Sequence, residues 1–241
     1  MTAVETKLFL RDPGGPILVF GLPLGLLLVF GLMPGIREPS AEFGGKSALD
    51  TFIAPMSITL VLAMMALTTL PNTIATYREK GVLRRLAASP VSPTGVLTAQ
   101  LVVNLVAAFA VVLLVFGIGM LALGMSGPEN LPGFLLSLVL GTAALFSTGL
   151  VVAALASTGR TAAGVGSVLF FPMLALGGVW VPKEKLPAFL QGVADVLPLG
   201  ATLNSLRAAW AGNDPRLLQL IALGVCLAVC GSLAARFFRW S

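Results

Sequence analysis

The chain alternates long apolar stretches with short polar connections. Six stretches cover about residues 15–35, 51–75, 96–124, 133–157, 161–181 and 217–237. Each is long enough to cross a bilayer, which needs about 20 apolar residues per helix. None carries Asp, Glu, Lys or Arg in its core. The first follows Glu5, Lys7, Arg11 and Asp12 and contains Pro23. It is longer than the roughly 7–15 apolar residues of a secretory signal, so it reads as a true span. Pro23, Pro55, Pro71 and Pro172 fall in or near span ends. There they predict kinks, with neighbouring helices satisfying the freed carbonyls. The pattern predicts an all-α membrane protein, residues 1–241 forming one transmembrane domain of six helices.

Composition agrees. Of 241 residues, 57% are hydrophobic and 10% charged, with mean hydropathy +0.98. A soluble domain carries about 25% charged residues, so a soluble globular fold and a disordered chain are both excluded. There is no His, which removes imidazole acid–base catalysis, Ser-His-Asp triads and His-ligated metals from this chain. Cys226 and Cys230 lie four apart in one apolar run and read as small packing residues on a shared helix face. The stretch Ser40–Ser47, SAEFGGKS, ends like a phosphate-binding loop. It has Ser where the first Gly is required, so it reads as chance. Gly21 with Gly25, Gly31 with Gly35, and Ala162 with Gly166 have the spacing that lets helices approach closely.

Six spans place both termini on one side. That side holds nine basic residues (Lys7, Arg11, Arg78, Lys80, Arg84, Arg85, Arg160, Arg236, Arg239) against the acids Glu5, Asp12 and Glu79. The other side holds six basic residues against seven acids. The positive-inside rule makes the first side cytoplasmic, so the chain reads as a multi-pass protein of the cell inner (plasma) membrane. No chain of buried charges marks a proton-driven carrier.

Two connections stand out. On the cytoplasmic side, Tyr77–Leu97 combines Glu79, Lys80, Arg84 and Arg85 with Val82, Leu83 and Leu86, then stops at Pro90 and Pro93. It fits either a basic loop on anionic headgroups or a short helix that docks a soluble partner. On the outer side, Leu176–Arg216 is too long and apolar for a simple loop. Leu186, Phe189, Leu190 and Val193 recur at helical spacing. Pro198 and Gly200 break that helix, and a second piece, TLNSLRAAW, follows. These pieces read as outer-leaflet re-entrant helices, or helices packed on span ends, between spans five and six.

The ordered set of motifs resembles the ABC type-2 exporter permeases, nearest to the daunorubicin-resistance type of bacterial permease. Carrying it are Arg78, Glu79, Lys80, Gly81, Leu83, Leu86 and the SPVSP run Ser89–Pro93. On the outer side Gly177, Gly178, Pro182, Leu186, Pro187, Leu190, Pro198, Leu199, Leu206 and Arg207 match, as does the opening KLFLRDP. Tyr77, Val82 and Phe189 depart from the common pattern. The resemblance implies the membrane subunit of an exporter, not catalytic alone and with no cofactor of its own. Two separate ABC ATPase subunits bind ATP and Mg, and a second permease subunit completes a homo- or heterodimer. Residues Arg78–Leu86 (Arg78, Glu79, Lys80, Gly81, Leu83, Arg84, Arg85, Leu86) would be the coupling helix to the ATPase. Val4–Asp12 would be an interfacial helix, and the outer gate would include Gly177, Gly178, Pro182, Pro187 and Pro198.

With no ATP site and no charge relay of its own, such a chain takes its energy from outside. The expected cargo is an amphipathic drug, antibiotic or lipid, moved along an apolar seam in contact with membrane lipid, with no nucleic acid involved. Candidate lining residues are Met56, Thr59 and Asn72 on the second span and Phe170 and Met173 on the fifth. Two other classes fit the composition: a non-transporting membrane scaffold or regulator, which needs no ATPase, and a secondary carrier. The inverted repeats of a carrier are not visible between the two halves of the sequence.

Overall fold

The computed structural model describes residues 14–82, 93–179 and 185–238. Its long elements are all helical: α1 (Gly14–Gly31), α2 (Leu49–Glu79), α3 (Pro93–Leu123), α4 (Leu131–Leu155), α5 (Gly159–Leu176), α6 (Ala188–Val196), α7 (Pro198–Trp210) and α8 (Leu217–Phe237). A two-residue antiparallel ladder, β1 (Pro39–Ser40) with β2 (Lys46–Ser47), sits between α1 and α2. Five helices, α2, α3, α4, α5 and α8, are long and apolar enough to cross a membrane. The expected first span is α1, an apolar helix of 18 residues with Pro23 inside it.

The elements follow from the sequence with small shifts. Asn130 caps α4 by accepting from the Gly133 amide at 2.9 Å, and Thr158 caps α5 by accepting from the Thr161 amide at 3.1 Å. These caps start both helices two residues earlier than the apolar pattern alone placed them. As expected, the amphipathic helix breaks before Pro198, which occupies the first turn of α7, where its missing N–H is no loss; Gly200 lies inside α7 and is not a break. Among the described residues, the α-helix of the amphipathic segment begins at Ala188.

α2 is the hub of the bundle. Of its apolar window 83% is buried, against 17% for α8 and 33% for α5. At 31 residues it is about 46 Å long, so its ends reach beyond a hydrocarbon core of about 30 Å. Its turns widen at Leu49–Ile53 and Met65–Thr69, just before Pro55 and Pro71. Neither proline supplies an N–H to the preceding turn. Such wide turns release carbonyls. The Thr51 carbonyl, four residues before Pro55, accepts from Arg207 Nε at 3.3 Å. The carbonyls of Ala66 and Leu67 lie against Gly149 of α4 and Gly166 of α5, where any Cβ would overlap them. In lipid this close backbone approach is what draws helices together. Hydroxyls buried along α2 bond within it: Ser57 to the Ile53 carbonyl at 2.9 Å and Thr59 to the Pro55 carbonyl at 2.8 Å.

α4 packs along both α7 and α8, while α5 lies on the second half of α2. The periphery is lipid-like. On α3, Val102, Val106, Phe109 and Leu113 form one exposed apolar stripe; on α8, Leu217, Ile221, Val225, Val229 and Leu233 form another.

The glycine contacts yield a paired expectation. Gly149→Ala forces a methyl into the Ala66 carbonyl and should lower stability at or above the upper end of the ~1–3 kcal/mol typical of overpacking. Gly164→Ala, with nothing within 4 Å of its Cβ position, should melt at or above wild type. Thermal unfolding of the two purified variants in detergent checks this.

Candidate functional site

One end of the bundle is basic: among described residues it carries Arg78, Lys80, Arg160 and Arg236 with the single acid Glu79. Consecutive helical residues point about 100° apart, so Tyr77, Arg78 and Glu79 at the end of α2 face three different neighbours. Tyr77 Oη accepts from Gln100 Nε2 of α3 at 3.3 Å. Arg78 Nη1 donates to the carbonyls of Ala153 and Ala156, at 2.9 and 2.5 Å, at the C-terminus of α4. Its guanidinium also lies 5.2 Å from the Phe238 ring centroid, just beyond α8. Glu79 Oε2 accepts from the Gly159 amide, the first of α5, at 2.9 Å. Each charge therefore meets the helix end whose dipole it complements: a cation at a C-terminus, an anion at an N-terminus. Gly159 is needed here, since a Cβ would strike Thr76 Oγ1 and Asn72 Oδ1.

Of the expected coupling residues, Arg78 thus reaches into the bundle, and Glu79, though exposed, accepts from the α5 backbone. Lys80 is exposed, and Gly81 ends the helix at φ 67°, a conformation suited to glycine. Leu83, Arg84, Arg85 and Leu86 lie outside the described residues, as does the N-terminal Val4–Asp12 stretch.

Between α1, α2 and α5 lies an apolar groove of about 650 Å³. α1 contributes Leu22, Leu26 and Phe30; α2 contributes Phe52, Ile53, Met56, Leu60, Met64 and Thr68. α5 and the residues after it contribute Ser167, Phe170, Phe171, Leu174 and Val179. No lining residue is charged. The Thr68 hydroxyl is already donated to the Met64 carbonyl. The expected Met56 and Phe170 line this groove. Thr59 is fully buried elsewhere, Asn72 lies against the start of α5, and Met173 packs on the core. The apolar pattern missed the α1 wall, because α1 is equally oily on all faces and so announces no facing.

The opposite end is tied by polar contacts. Asp50 Oδ1 accepts from the Ser126 amide at 2.7 Å, joining α2 to the α3–α4 connection. Lys46 pairs with Glu129 at 2.6 Å and donates to the Ala211 carbonyl at 2.9 Å. Trp210 stacks on Phe116 with centroids 5.3 Å apart and donates Nε1 to the Ser126 carbonyl at 3.1 Å. Arg207 lies 5.1 Å over Phe52, at the groove's edge. Asp195 is buried and accepts from Gln219 Nε2 at 2.7 Å.

The expected gate residues fall in this region. Gly177, ending α5, and Gly200 in α7 approach so closely that a Cβ on either would meet the other's Cα. Gly178 follows at φ 89°, Pro198 starts α7 buried, and Pro187 precedes α6 exposed. Pro182 lies outside the described residues. Among the described residues no cluster of His, Cys, Asp or Glu is built to hold a metal.

A bundle of apolar helices around a charge-free groove defines an integral membrane protein. Comparison gives its class: the family described as ABC-2 type transporter matches residues 1–210, and the chain belongs to that family. A probable multidrug ABC transporter permease, YbhR, of Escherichia coli K12 is 26% identical over 191 residues, covering 78% of this chain and 52% of that protein. The inner membrane transport permease YhhJ of the same organism is 25% identical over 195 residues, covering 76% and 49%. The chain spans about half the length of these curated relatives.

If the groove binds a lipophilic guest, filling it should show. Leu22→Trp and Ser167→Trp, both at incompletely buried wall positions, should weaken binding of the neutral dye N-phenyl-1-naphthylamine by about tenfold or more, with melting temperature unchanged. Fluorescence titration of the purified chain reads this.

Proposed function

We propose that this chain is the membrane permease of an ATP-driven exporter. The observation that carries the reading is membership of the ABC-2 type transporter family across residues 1–210. In this reading residues 1–241 form one transmembrane domain of six spans, with α1 as the sixth beside the five long helices. The basic end faces the cytoplasm, with both termini there, as the excess of Arg and Lys favours. α6 and α7 are the re-entrant pair of the outer leaflet, and the buried surroundings of α7 are what a re-entrant segment requires.

The permease pairs with a second permease subunit, and two ABC ATPase subunits dock from the cytoplasm against the Arg78–Leu86 stretch, with the residues from Lys80 to Leu86 making the contact and Arg78 and Glu79 tying the stretch to the bundle. ATP and Mg belong to those subunits. Closure of the ATPases pushes on the end of α2, and α2 carries the movement to the groove. Gly177, Gly178, Pro182, Pro187 and Pro198 shape the outer exit. The cargo is an amphipathic drug, antibiotic or lipid. The support is the groove itself: Met56, Phe170 and their neighbours offer hydrocarbon and aromatic walls with no counter-charge, which suits a lipophilic body and not an ion or sugar. The multidrug name of the YbhR relative points the same way. Thr59, Asn72 and Met173, outside the groove in this state, would meet cargo only in another.

The expected outcome is direct. The tagged chain purified from native membranes brings down a nucleotide-binding subunit, while alone it hydrolyses no ATP. The double change Arg84→Glu with Arg85→Glu reduces that capture by about tenfold or more, as charge reversal at a docking surface should. Capture of no nucleotide-binding subunit by the wild-type chain overturns the reading.

A further inference from the structure

Residues Tyr77, Arg78 and Glu79 stand where a docking surface was expected, yet each bonds to another helix of the bundle: Tyr77 and Arg78 are half-buried, and Glu79, itself exposed, accepts from the α5 backbone. We infer that Arg78 and Glu79 are positioning residues of transport: they clamp the basic end of α2 to the last turn of α4 and the first turn of α5, so that a push on α2 moves α5 and its wall of the groove. This rests on the ATP-driven reading above.

Three observations carry it. Arg78 occupies two carbonyls at the end of α4, Ala153 and Ala156, and carbonyls there have no partner within the helix. Glu79 takes the first amide of α5, one of the free donors at that helix's start. The α4–α5 connection between these points is only Ala156–Thr158. Two adjacent residues of α2 therefore hold both flanks of one short turn, each with the charge that its helix end favours. A displacement of α2 at this level cannot leave the turn behind without breaking charge-assisted hydrogen bonds on both flanks. α5 in turn supplies Ser167, Phe170, Phe171 and Leu174 to the groove. The route from residue 79 to the groove wall is thus one rigid helix.

The consequence separates transmission from docking. Removing Glu79 should leave the ATPase bound and hydrolysing, but disconnect α5. The experiment uses the chain co-purified with its nucleotide-binding subunit and reconstituted in liposomes. A bimane label is placed at exposed Val168→Cys on α5, with Cys226 and Cys230 replaced by Ala. In the wild-type sequence at position 79, ATP with vanadate shifts the bimane signal. Glu79→Ala is expected to keep subunit capture and ATP hydrolysis within about twofold while reducing the signal change by about tenfold. Glu79→Gln retains an acceptor oxygen without the charge, so it should recover most of the response, short by about two- to fivefold. Arg78→Lys should fall between Arg78→Ala and wild type.

A full bimane response in Glu79→Ala overturns the inference. So does loss of the nucleotide-binding subunit from Glu79→Ala and Glu79→Gln alike, since that marks a docking contact. Should Glu79→Ala yield no folded protein, Glu79→Gln decides: an undiminished response overturns the clamp, and a reduced response with intact capture supports it. A wild-type chain with no ATP-dependent signal and no captured ATPase would instead strike at the ATP-driven reading.

Discussion

In a bilayer two helices gain nothing by hiding Leu from lipid that is as apolar as Leu itself. What holds α2 at the centre of the bundle is contact between backbones, at Gly149 and Gly166, against the carbonyls of Ala66 and Leu67. These glycines come from α4 and α5, and they meet α2 in the wide turn Met65–Thr69. The rest of the arrangement depends on this contact. With α2 fixed between α4 and α5, its end reaches both helix termini near Arg78 and Glu79. Its other face, with Met56, Leu60 and Met64, is left to form the groove with α1.

The two ends of the molecule are held in different ways. At the end bearing Asp50, Glu129 and Trp210 the ties are many and run between connections: an ion pair, side-chain hydrogen bonds to backbone and a three-ring aromatic cluster. At the basic end they converge on three successive residues of one helix. A bundle tied at many points resists change at that end. A bundle whose ties converge can be moved from one place. The glycine contact near the middle of α2 lies between these two regimes.

Much of this was legible in the sequence. A lipid-spanning helix needs an uninterrupted apolar run, so the runs at 51–75, 96–124, 133–157 and 217–237 coincide with α2, α3, α4 and α8 to within a few residues. The errors sit where a polar residue caps a helix, as Asn130 and Thr158 do. Facing was not legible. A helix that is oily all round gives no periodic signal, so Met56 and Phe170 were identified with the groove but Leu22 and Phe30 were not. The pattern around 78 and 79 fits a docking helix or a basic loop, and does not show that both charges also have partners in the bundle. Their partners are backbone groups at the ends of α4 and α5, and an orphan carbonyl or amide has no signature in the one-letter code. The burial of Asp195 is hidden for a similar reason: its partner Gln219 lies on a different helix.

The groove has one more implication. Its walls present no fixed charge, and its Thr68 hydroxyl is already spent on its own helix. Such a surface offers a guest little hydrogen bonding beyond the Ser167 hydroxyl. It sorts by partition and by fit, so molecules of unrelated chemistry but similar oiliness and girth are equivalent to it. In the exporter reading, selectivity is exercised mainly before a molecule arrives in the groove or after it departs.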